Sequence, residues 1–98
     1  MREKEYAVYA MTNRTRTTIY IGVTNNLTNR FLQHKEKINP NSFTSRYNLD
    51  RLVWYELFDN ISQAIEREKE IKGWTREKKV ILIRAMNPSF KDLSGDLL

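Results

Sequence analysis

The sequence predicts an α+β domain in which a small three-stranded antiparallel sheet is flanked by helices, in the order β-β-α-β-α-α. Two apolar segments rich in strand-forming residues stand close together near the start of the chain, and the polar turn between them predicts a hairpin. A third strand-like segment follows one helical segment and precedes two more. A chain of 98 residues is too short for a doubly wound parallel sheet, so we predict a single domain over residues 1–98.

The first two strands are predicted from their composition. Residues 6–11 and 18–23 are short, apolar and rich in β-branched and aromatic side chains. The polar stretch between them contains Asn13, which favours a turn. Gly22, late in the second strand, indicates either a bulge or the close approach of another group to the backbone.

The next helix and strand follow from a capping signal and a polar loop. Asn25 or Asn26 can cap a helix over residues 27–37. The segment 39–50 contains asparagine, proline and serine, which predict a loop. A third strand is then expected over residues 51–57.

Two helices follow the third strand. Ser62 is a plausible cap for the first of them, over residues 62–72, and Gly73 is its expected stop. Thr75 can cap the last helix, which ends before an Asn-Pro pair. We expect residues 91–98 to form a flexible tail.

The composition excludes several classes of protein. The chain has no Cys and one His, which excludes a disulfide framework, a thiolate metal site and a zinc site built from several histidines. It has no apolar run of about 18 residues. Its charged first residues are followed by no apolar core of a signal peptide. We therefore expect a cytoplasmic monomer that does not contact a membrane.

The charge is arranged in blocks. The 17 Lys and Arg residues outnumber the 12 Asp and Glu residues, and the net charge is +5. Residues 6–49 carry six basic side chains and one acid, residues 50–70 carry six acids and three bases, and residues 71–91 again carry six bases and one acid. Two basic blocks around an acidic one fit a phosphate-binding surface beside a site that needs a carboxylate. A basic domain with no polyanion partner is the alternative.

Glu68 is predicted to lie on an apolar helix face. Ala64, Ile65 and Ile71 are three or four residues away from it and share that face. A carboxylate there is costly unless it is paired or bound to a metal. The commoner arrangement is an edge position from which the carboxylate reaches water or an arginine.

Arg30 and His34 form a second polar pair on a largely apolar helix face. They are four residues apart, so their side chains are neighbours. A guanidinium group can clamp a phosphate with two hydrogen bonds, and an imidazole can shuttle a proton. The alternative is an arginine at the helix edge that extends to solvent and a histidine that completes the core.

Tyr9 and Tyr20 lie on the two strands of the predicted hairpin. Their hydroxyl groups could converge on one face of the sheet. The alternative, which is commoner for two tyrosines in strands, is that both rings fill the core.

Further side chains are predicted to contact nucleic acid. Tyr47 follows Arg46 in a polar loop, where a basic and aromatic pair could touch a backbone or stack on a base. The complete set is Arg16, Lys35, Arg46, Tyr47, Lys72 and Arg76. Solvated surface charge remains the alternative for about half of the basic residues.

Together these residues suit phosphodiester hydrolysis. One carboxylate, Glu68, can hold one Mg²⁺ or Mn²⁺ ion whose other ligands are water and phosphate oxygens. The ion would neutralise the charge that builds up on the phosphate. Arg30 would stabilise the pentacovalent phosphate, and a phenol would relay the proton of the attacking water.

The sequence resembles a GIY-YIG nuclease domain over nearly its whole length. The likeness is carried by residues 6–9, 20–22, 24–34 and 64–74. The closing segment 87–93 is similar to the small stand-alone bacterial branch, the UvrC/YhbQ-like proteins. The resemblance implies a DNA endonuclease that uses one Mg²⁺ or Mn²⁺ ion and has a three-stranded antiparallel sheet with flanking helices. It also implies a role in DNA repair or recombination, with selectivity for DNA structure.

The resemblance also implies residue roles. Tyr9 and Tyr20 match the tyrosines of the two triplets, which orient or deprotonate the attacking water. Arg30 matches the catalytic arginine, and His34 matches a position where several members use a histidine. Glu68 matches the glutamate that binds the metal.

The sequence departs from the family pattern at two places. The first triplet reads Ala7-Val8-Tyr9 and lacks its glycine and isoleucine, which build the strand and not the chemistry. Asn87 is the one candidate for an asparagine that some members use after the metal-binding glutamate.

Two alternatives to an active nuclease stay open. One is a module that binds DNA or RNA and has lost catalysis. The other is a protein-interaction domain in a DNA-processing assembly, with the aromatic pair Trp54 and Tyr55 as its contact surface.

Overall fold

The predicted α+β fold is confirmed. A computed structural model describes residues 5–35 and 46–96, with the side chains of residues 32–35 and 96 outside the description. In this part of the chain the elements are β1 (Tyr6–Thr12), β2 (Ile19–Thr24), α1 (Leu27–Lys35), β3 (Arg51–Phe58), α2 (Ile61–Lys72), α3 (Arg76–Met86) and a 3-10 turn (Leu93–Asp96). None of the described helices has the length and apolar character needed to cross a membrane.

The sheet has β1 at its centre. The order is β2-β1-β3, and both pairings are antiparallel. Tyr9 lies opposite Gly22 on one side and Tyr55 on the other. The pairing of β1 with β3 shifts register between Ala10 and Met11. This bulge lies between β1 and β3, whereas Gly22 lies on β2. Of the two possibilities that the sequence raised for Gly22, a bulge or a close approach to its backbone, the structure therefore shows the close approach.

Both faces of β1 are covered, because alternate side chains of a strand point to opposite faces. One face packs against α2 and α3, and its buried cluster is Val8, Ala10, Ile21, Val53, Trp54, Ala64, Ile71, Ile83 and Phe90. The other face packs against α1 and the 3-10 turn, and its buried cluster is Tyr9, Met11, Phe31, Leu49, Leu52 and Leu93. The two tyrosines of the hairpin belong to this second face.

The helices begin at polar caps, with one correction to the expected position. Asn60, and not Ser62, caps α2, because Asn60 has an extended backbone and its Oδ1 accepts from the backbone N–H groups of Ser62 (2.7 Å) and Gln63 (3.3 Å). Thr75 caps α3 as predicted and accepts from the backbone N–H of Lys78 at 3.2 Å.

The segment from residue 91 onward differs from the flexible tail that the sequence predicts. Leu93 and Ser94 are buried. The Asp92 carboxylate accepts from the backbone N–H groups of Leu52 (3.2 Å) and Ser94 (3.0 Å), which ties the turn to β3. An apolar side chain and one hydrogen-bonding carboxylate thus fix residues 91–96 to the sheet. Residues 97 and 98, the predicted end of the first helix at residue 37 and the loop over residues 39–45 lie outside the described part.

Candidate active site

Tyr9 and Tyr20 come together on the face of the sheet that α1 covers. Their ring centroids are 6.2 Å apart and the planes are inclined by 47°. The two hydroxyl groups share a hydrogen bond. Tyr9 is 1% exposed, whereas Tyr20, on the edge strand, is partly exposed. The second tyrosine is therefore the one of the pair that can meet a ligand.

Gly22 makes this convergence possible. A Cβ atom at this position would lie 2.5 Å from Oη and 2.6 Å from Cζ of Tyr9, and 2.9 Å from a ring carbon of Tyr20. Carbon atoms in proteins do not approach so closely, so any side chain here would push the rings apart. The glycine is the second-strand residue directly opposite Tyr9.

Arg30 reaches the tyrosine pair from α1. Asn26 fixes the start of this helix, since its Oδ1 accepts from the backbone N–H of Asn29 at 3.0 Å. The helix is held to the sheet by Phe31, which is buried in the same cluster as Tyr9. The Arg30 guanidinium donates a hydrogen bond to the Tyr9 hydroxyl. Arg30 is itself exposed, so the group that contacts the buried phenol is also open to solvent.

The environment of Tyr9 keeps its hydroxyl protonated. Burial of the ring is the main cause that raises the pKa of Tyr9 above its usual range, and the neighbouring Tyr20 acts in the same direction. The Arg30 guanidinium opposes the shift but does not cancel it. Tyr9 is thus a neutral hydrogen-bonding group at neutral pH and not a base.

Glu68 lies on α2 near the covered side of the helix. Ala64 and Ile71, on the same face, are fully buried, but Ile65 is exposed, so the predicted apolar stripe is narrower than expected. The Glu68 side chain is 15% exposed. Its Oε2 atom lies 3.2 Å from Nζ of Lys72, one turn further along the helix.

A cleft opens between the edge strand β2 and the helices α2 and α3. It has a volume of about 340 Å³ and is lined by Ile19, Tyr20, Ile21, Lys72 and Lys79. The three β2 residues belong to the edge strand of the sheet, and the two lysines come from α2 and α3. Tyr20 and the lysine that pairs with Glu68 therefore face one space.

The donor set fits one weakly held divalent cation. Within the described residues there is no group of three or more His, Cys, Asp or Glu side chains that could form a metal cage. Glu68 is a single carboxylate, and its Oε2 atom is paired with the Lys72 ammonium at 3.2 Å. Mg²⁺ is commonly bound by one or two carboxylates together with water and substrate phosphates. The residues present are consistent with such an ion.

The other predicted site residues are distributed around this centre. His34 and Lys35 lie on α1, and their side chains are outside the described part. Arg46 and Tyr47 are exposed, at the start of the second described range. Lys72 lines the cleft.

Arg16 and Arg76 are engaged with the backbone. The Arg76 guanidinium donates to the carbonyls of Arg16 and Thr17 (3.2 Å for the latter). Arg16 donates to the Ser89 carbonyl at 2.9 Å, and its guanidinium carbon lies 5.3 Å from the ring centre of Phe90. Both arginines thus fasten the β1–β2 turn to the segment around α3.

Asn87 lies in the core, away from the cleft. It is 2% exposed. Its amide donates to the carbonyls of Val53 (3.0 Å) and Lys91 (2.8 Å) and accepts from the Lys91 N–H (3.1 Å). These bonds occupy both ends of the amide, so its position is that of a structural residue, and we leave it out of the proposed catalytic set.

The structure adds Lys79 to the site and specifies the role of Gly22. Lys79 is one of many lysines in the basic blocks, and no sequence signal separates it from the others. The contact of Gly22 with the two rings depends on its pairing opposite Tyr9, although its place late in a strand already indicated a close approach.

Two linked tyrosines and an arginine lie on one face of the sheet, and a carboxylate lies on a later helix that packs on the other face. A family model described as the GIY-YIG catalytic domain matches residues 5–80. The chain therefore belongs to the GIY-YIG family, a family of nuclease domains, and the resemblance seen in the sequence is confirmed.

Several relatives share the name UPF0213. The chain is 34% identical to a UPF0213 protein of Vibrio campbellii over 82 residues, which cover 84% of this chain and 77% of the relative. It is 34% identical over 66 residues to a UPF0213 protein of Staphylococcus saprophyticus, covering 67% and 79% of the two chains. The solution NMR structure of the UPF0213 protein BH0048 from Bacillus halodurans is similar in fold, with a TM-score of 0.57, 23% identity and coverage of 90% and 92%.

Proposed function

We propose that this protein is a divalent-metal-dependent endonuclease that hydrolyses phosphodiester bonds of DNA. The observation that carries the proposal is the linked set of Tyr9, Tyr20 and Arg30, which is hydrogen bonded through the buried Tyr9 hydroxyl. Filling the core would not require a buried phenol that joins a second phenol to an exposed guanidinium. The arrangement instead fixes the orientation of the Tyr20 phenol and the Arg30 guanidinium, which are both accessible to solvent.

Within this set we assign contact with substrate to Arg30 and Tyr20. The exposed guanidinium can donate two parallel hydrogen bonds to phosphate oxygens and stabilise the charge that develops on them. The hydroxyl of the partly exposed Tyr20 can hold the attacking water and pass on its proton. Tyr9 is too buried to touch substrate, so its part is to position the other two.

Glu68 is the residue that would hold the metal ion. When bound, Mg²⁺ or Mn²⁺ supplies positive charge beside the phosphate that is attacked. Glu68 is mostly covered, so its carboxylate is held in place by the packing of α2 on the sheet. His34 remains a proposed proton donor or acceptor, because it follows Arg30 by four residues in the sequence of α1.

The nucleic-acid surface is proposed to extend from the cleft. Lys72 and Lys79 line it, together with Tyr20, and bring two positive charges to it. Arg46 and Tyr47 are exposed, so they stay in the proposed surface. Arg16 and Arg76 contribute positive charge near the β1–β2 turn. Because both guanidinium groups donate hydrogen bonds to backbone carbonyls, they have fewer donors left for phosphate.

The test is cleavage of supercoiled plasmid and of duplex, flap, fork and single-stranded DNA, with Mg²⁺ or Mn²⁺. We expect Glu68→Gln and Arg30→Met to lose at least about a hundredfold in rate, the loss typical of a missing group that stabilises charge in the transition state. The matched control is Glu66→Gln, an exposed carboxylate on the same helix, which should cleave as the unaltered protein does. Activity that survives Glu68→Gln would contradict the proposal.

A nucleic-acid-binding module without catalysis is the second candidate. The ion pair of Glu68 with Lys72 favours it, because a carboxylate that is satisfied by a lysine has less need of a metal. This candidate predicts salt-dependent binding of DNA or RNA with no cleavage, and binding that is indifferent to Glu68→Gln. No observation supports the third possibility, a protein-contact surface formed by the aromatic pair Trp54 and Tyr55, because Trp54 is buried in the core.

A further inference from the structure

We infer that Lys72 is shared between Glu68 and the phosphate of the nucleic acid, so that binding of DNA releases Glu68 for the metal ion. The inference rests on the proposed function and adds a coupling between its two ligands. It would make this protein bind its metal weakly when alone and more tightly when DNA is present.

The geometry that motivates the inference is the position of the Lys72 ammonium. It lies 3.2 Å from Oε2 of Glu68, and the same side chain lines the cleft beside Tyr20. The Lys72 side chain is 49% exposed, whereas that of Glu68 is 15% exposed. The covered carboxylate is therefore the fixed partner, and the solvated lysine, with its flexible stem, is the partner that can move.

Two cations cannot share this carboxylate at ion-pair distance without repelling each other. A divalent ion that approaches Glu68 meets the positive charge of Lys72 beside its ligand. The pair itself is a helix pair spaced by four residues with an exposed lysine, and such pairs are weak. A stronger anion in the cleft can therefore draw the ammonium away from the glutamate.

Lys79 supplies the second charge of this anion site. It lies on α3 and lines the same cleft as Lys72. Among the described residues, no carboxylate is within ion-pair distance of its ammonium. A DNA phosphate between the two lysines would be attracted by both positive charges, and the Lys72 ammonium would then move away from Glu68.

This arrangement predicts reciprocal coupling. If a phosphate removes Lys72 from Glu68, DNA raises the affinity for the metal, and the metal raises the affinity for DNA by the same factor. Removing the ammonium by mutation should imitate the effect of DNA on the metal. Since a helix pair at this spacing with one exposed partner is worth about 1 kcal/mol or less, we expect a change of about two- to fivefold in the dissociation constant.

The experiment measures binding of Mn²⁺ to the whole protein by electron paramagnetic resonance, without any readout of cleavage. The variants are Lys72→Met, Lys72→Gln and the control Lys69→Met, an exposed lysine on the same helix. Each is titrated alone and with a short phosphorothioate duplex, and Mn²⁺ bound by the duplex itself is subtracted. Circular dichroism confirms that each variant is folded.

We expect both Lys72 variants to bind Mn²⁺ about two- to fivefold more tightly than the unaltered protein in the absence of DNA. The duplex should tighten binding in every variant that keeps Glu68, because its phosphates are ligands of the ion, but the factor should be larger in the unaltered protein and in Lys69→Met than in the Lys72 variants. Equal affinity of Lys72→Met and Lys69→Met would overturn the coupling while leaving the proposed nuclease intact. Mn²⁺ binding that is unchanged in Glu68→Gln would overturn both.

Discussion

The ring of Tyr9 lies across the backbone of Gly22, which faces it on the neighbouring strand. The space between them is so small that a Cβ atom on the glycine would come within 2.5 Å of the tyrosine hydroxyl oxygen. The same hydroxyl is hydrogen bonded to the side chains of Tyr20 and Arg30. The absence of one side chain on β2 thereby sets the position of three groups in the site.

Gly22→Ala should lower both stability and activity. The added methyl group must displace a buried ring, and overpacking of this kind costs about 1–3 kcal/mol. Because the displaced ring carries the hydroxyl that positions Arg30, the cleavage rate per folded molecule should fall as well. Denaturant unfolding and plasmid cleavage measure the two effects.

Gly95→Ala is the matched control for this substitution. A Cβ atom at Gly95 meets nothing within 4 Å, and its backbone is not in the left-handed region. The free energy of unfolding should stay within about 0.5 kcal/mol of that of the unaltered protein. Equal destabilisation by the two alanines would contradict the close packing at Gly22.

Tyr9→Phe should change the stability of the protein at alkaline pH. The pKa of Tyr9 is raised in the folded state, so above about pH 10 the unfolded chain loses a proton that the folded chain keeps. The folded state then binds more protons than the unfolded state, and its stability falls as the pH rises. The phenylalanine variant lacks this contribution.

The measurement for Tyr9→Phe is the free energy of unfolding between neutral pH and about pH 11. The slope against pH above about pH 10 should be shallower in the variant than in the unaltered protein. Tyr47→Phe, at an exposed tyrosine, controls for the loss of a phenol as such. Identical slopes in Tyr9→Phe and the unaltered protein would show that burial does not protect the Tyr9 proton.

Asn87→Ala should destabilise the fold and leave the chemistry intact. The substitution leaves the buried carbonyl of Val53 and the part-buried carbonyl and N–H of Lys91 without their partner. We expect a loss of about 2–3 kcal/mol. Cleavage per folded molecule, measured well below the melting temperature, should be unchanged. Asn25→Ala, at an exposed loop position, should affect neither quantity.

Arg76→Met and Arg46→Met should separate a structural arginine from one on the proposed DNA surface. Loss of the Arg76 bonds to Arg16 and Thr17 should loosen the β1–β2 turn, which hydrogen exchange of the turn amides can detect. Arg46→Met should instead reduce the slope of log affinity for duplex DNA against log salt by about 0.9, the value for one phosphate contact. A reduced salt slope in Arg76→Met together with faster exchange of the turn amides in Arg46→Met would contradict this assignment of the two arginines.

The sequence was sufficient for the order of the elements and for the family, because both rest on local patterns. The helix cap shows where local patterns become ambiguous. Asn60 and Ser62 are both good capping residues two positions apart, and the choice depends on where β3 ends and the chain turns. The ion pair of Glu68 with Lys72 follows from their spacing, but its position beside the cleft does not.

Long-range contacts account for what the sequence did not predict. The role of Gly22 depends on the register of β1 with β2. The fixed position of residues 91–96 depends on the Asp92 carboxylate, which accepts a hydrogen bond from Leu52 in β3, 40 residues earlier in the chain. In both cases the partner is distant in the chain or is fixed only when the sheet has formed, so no window of neighbouring residues contains the information.

Leu93 joins the buried cluster that contains Tyr9, and this has a consequence for synthesis of the protein. A ribosome makes β1, β2 and α1 long before it makes the 3-10 turn. The hairpin with its tyrosines can form early, but the layer that supports it stays incomplete until residue 93 has left the exit tunnel. The cell would therefore release this proposed nuclease in working order only after nearly all of the described chain has been translated.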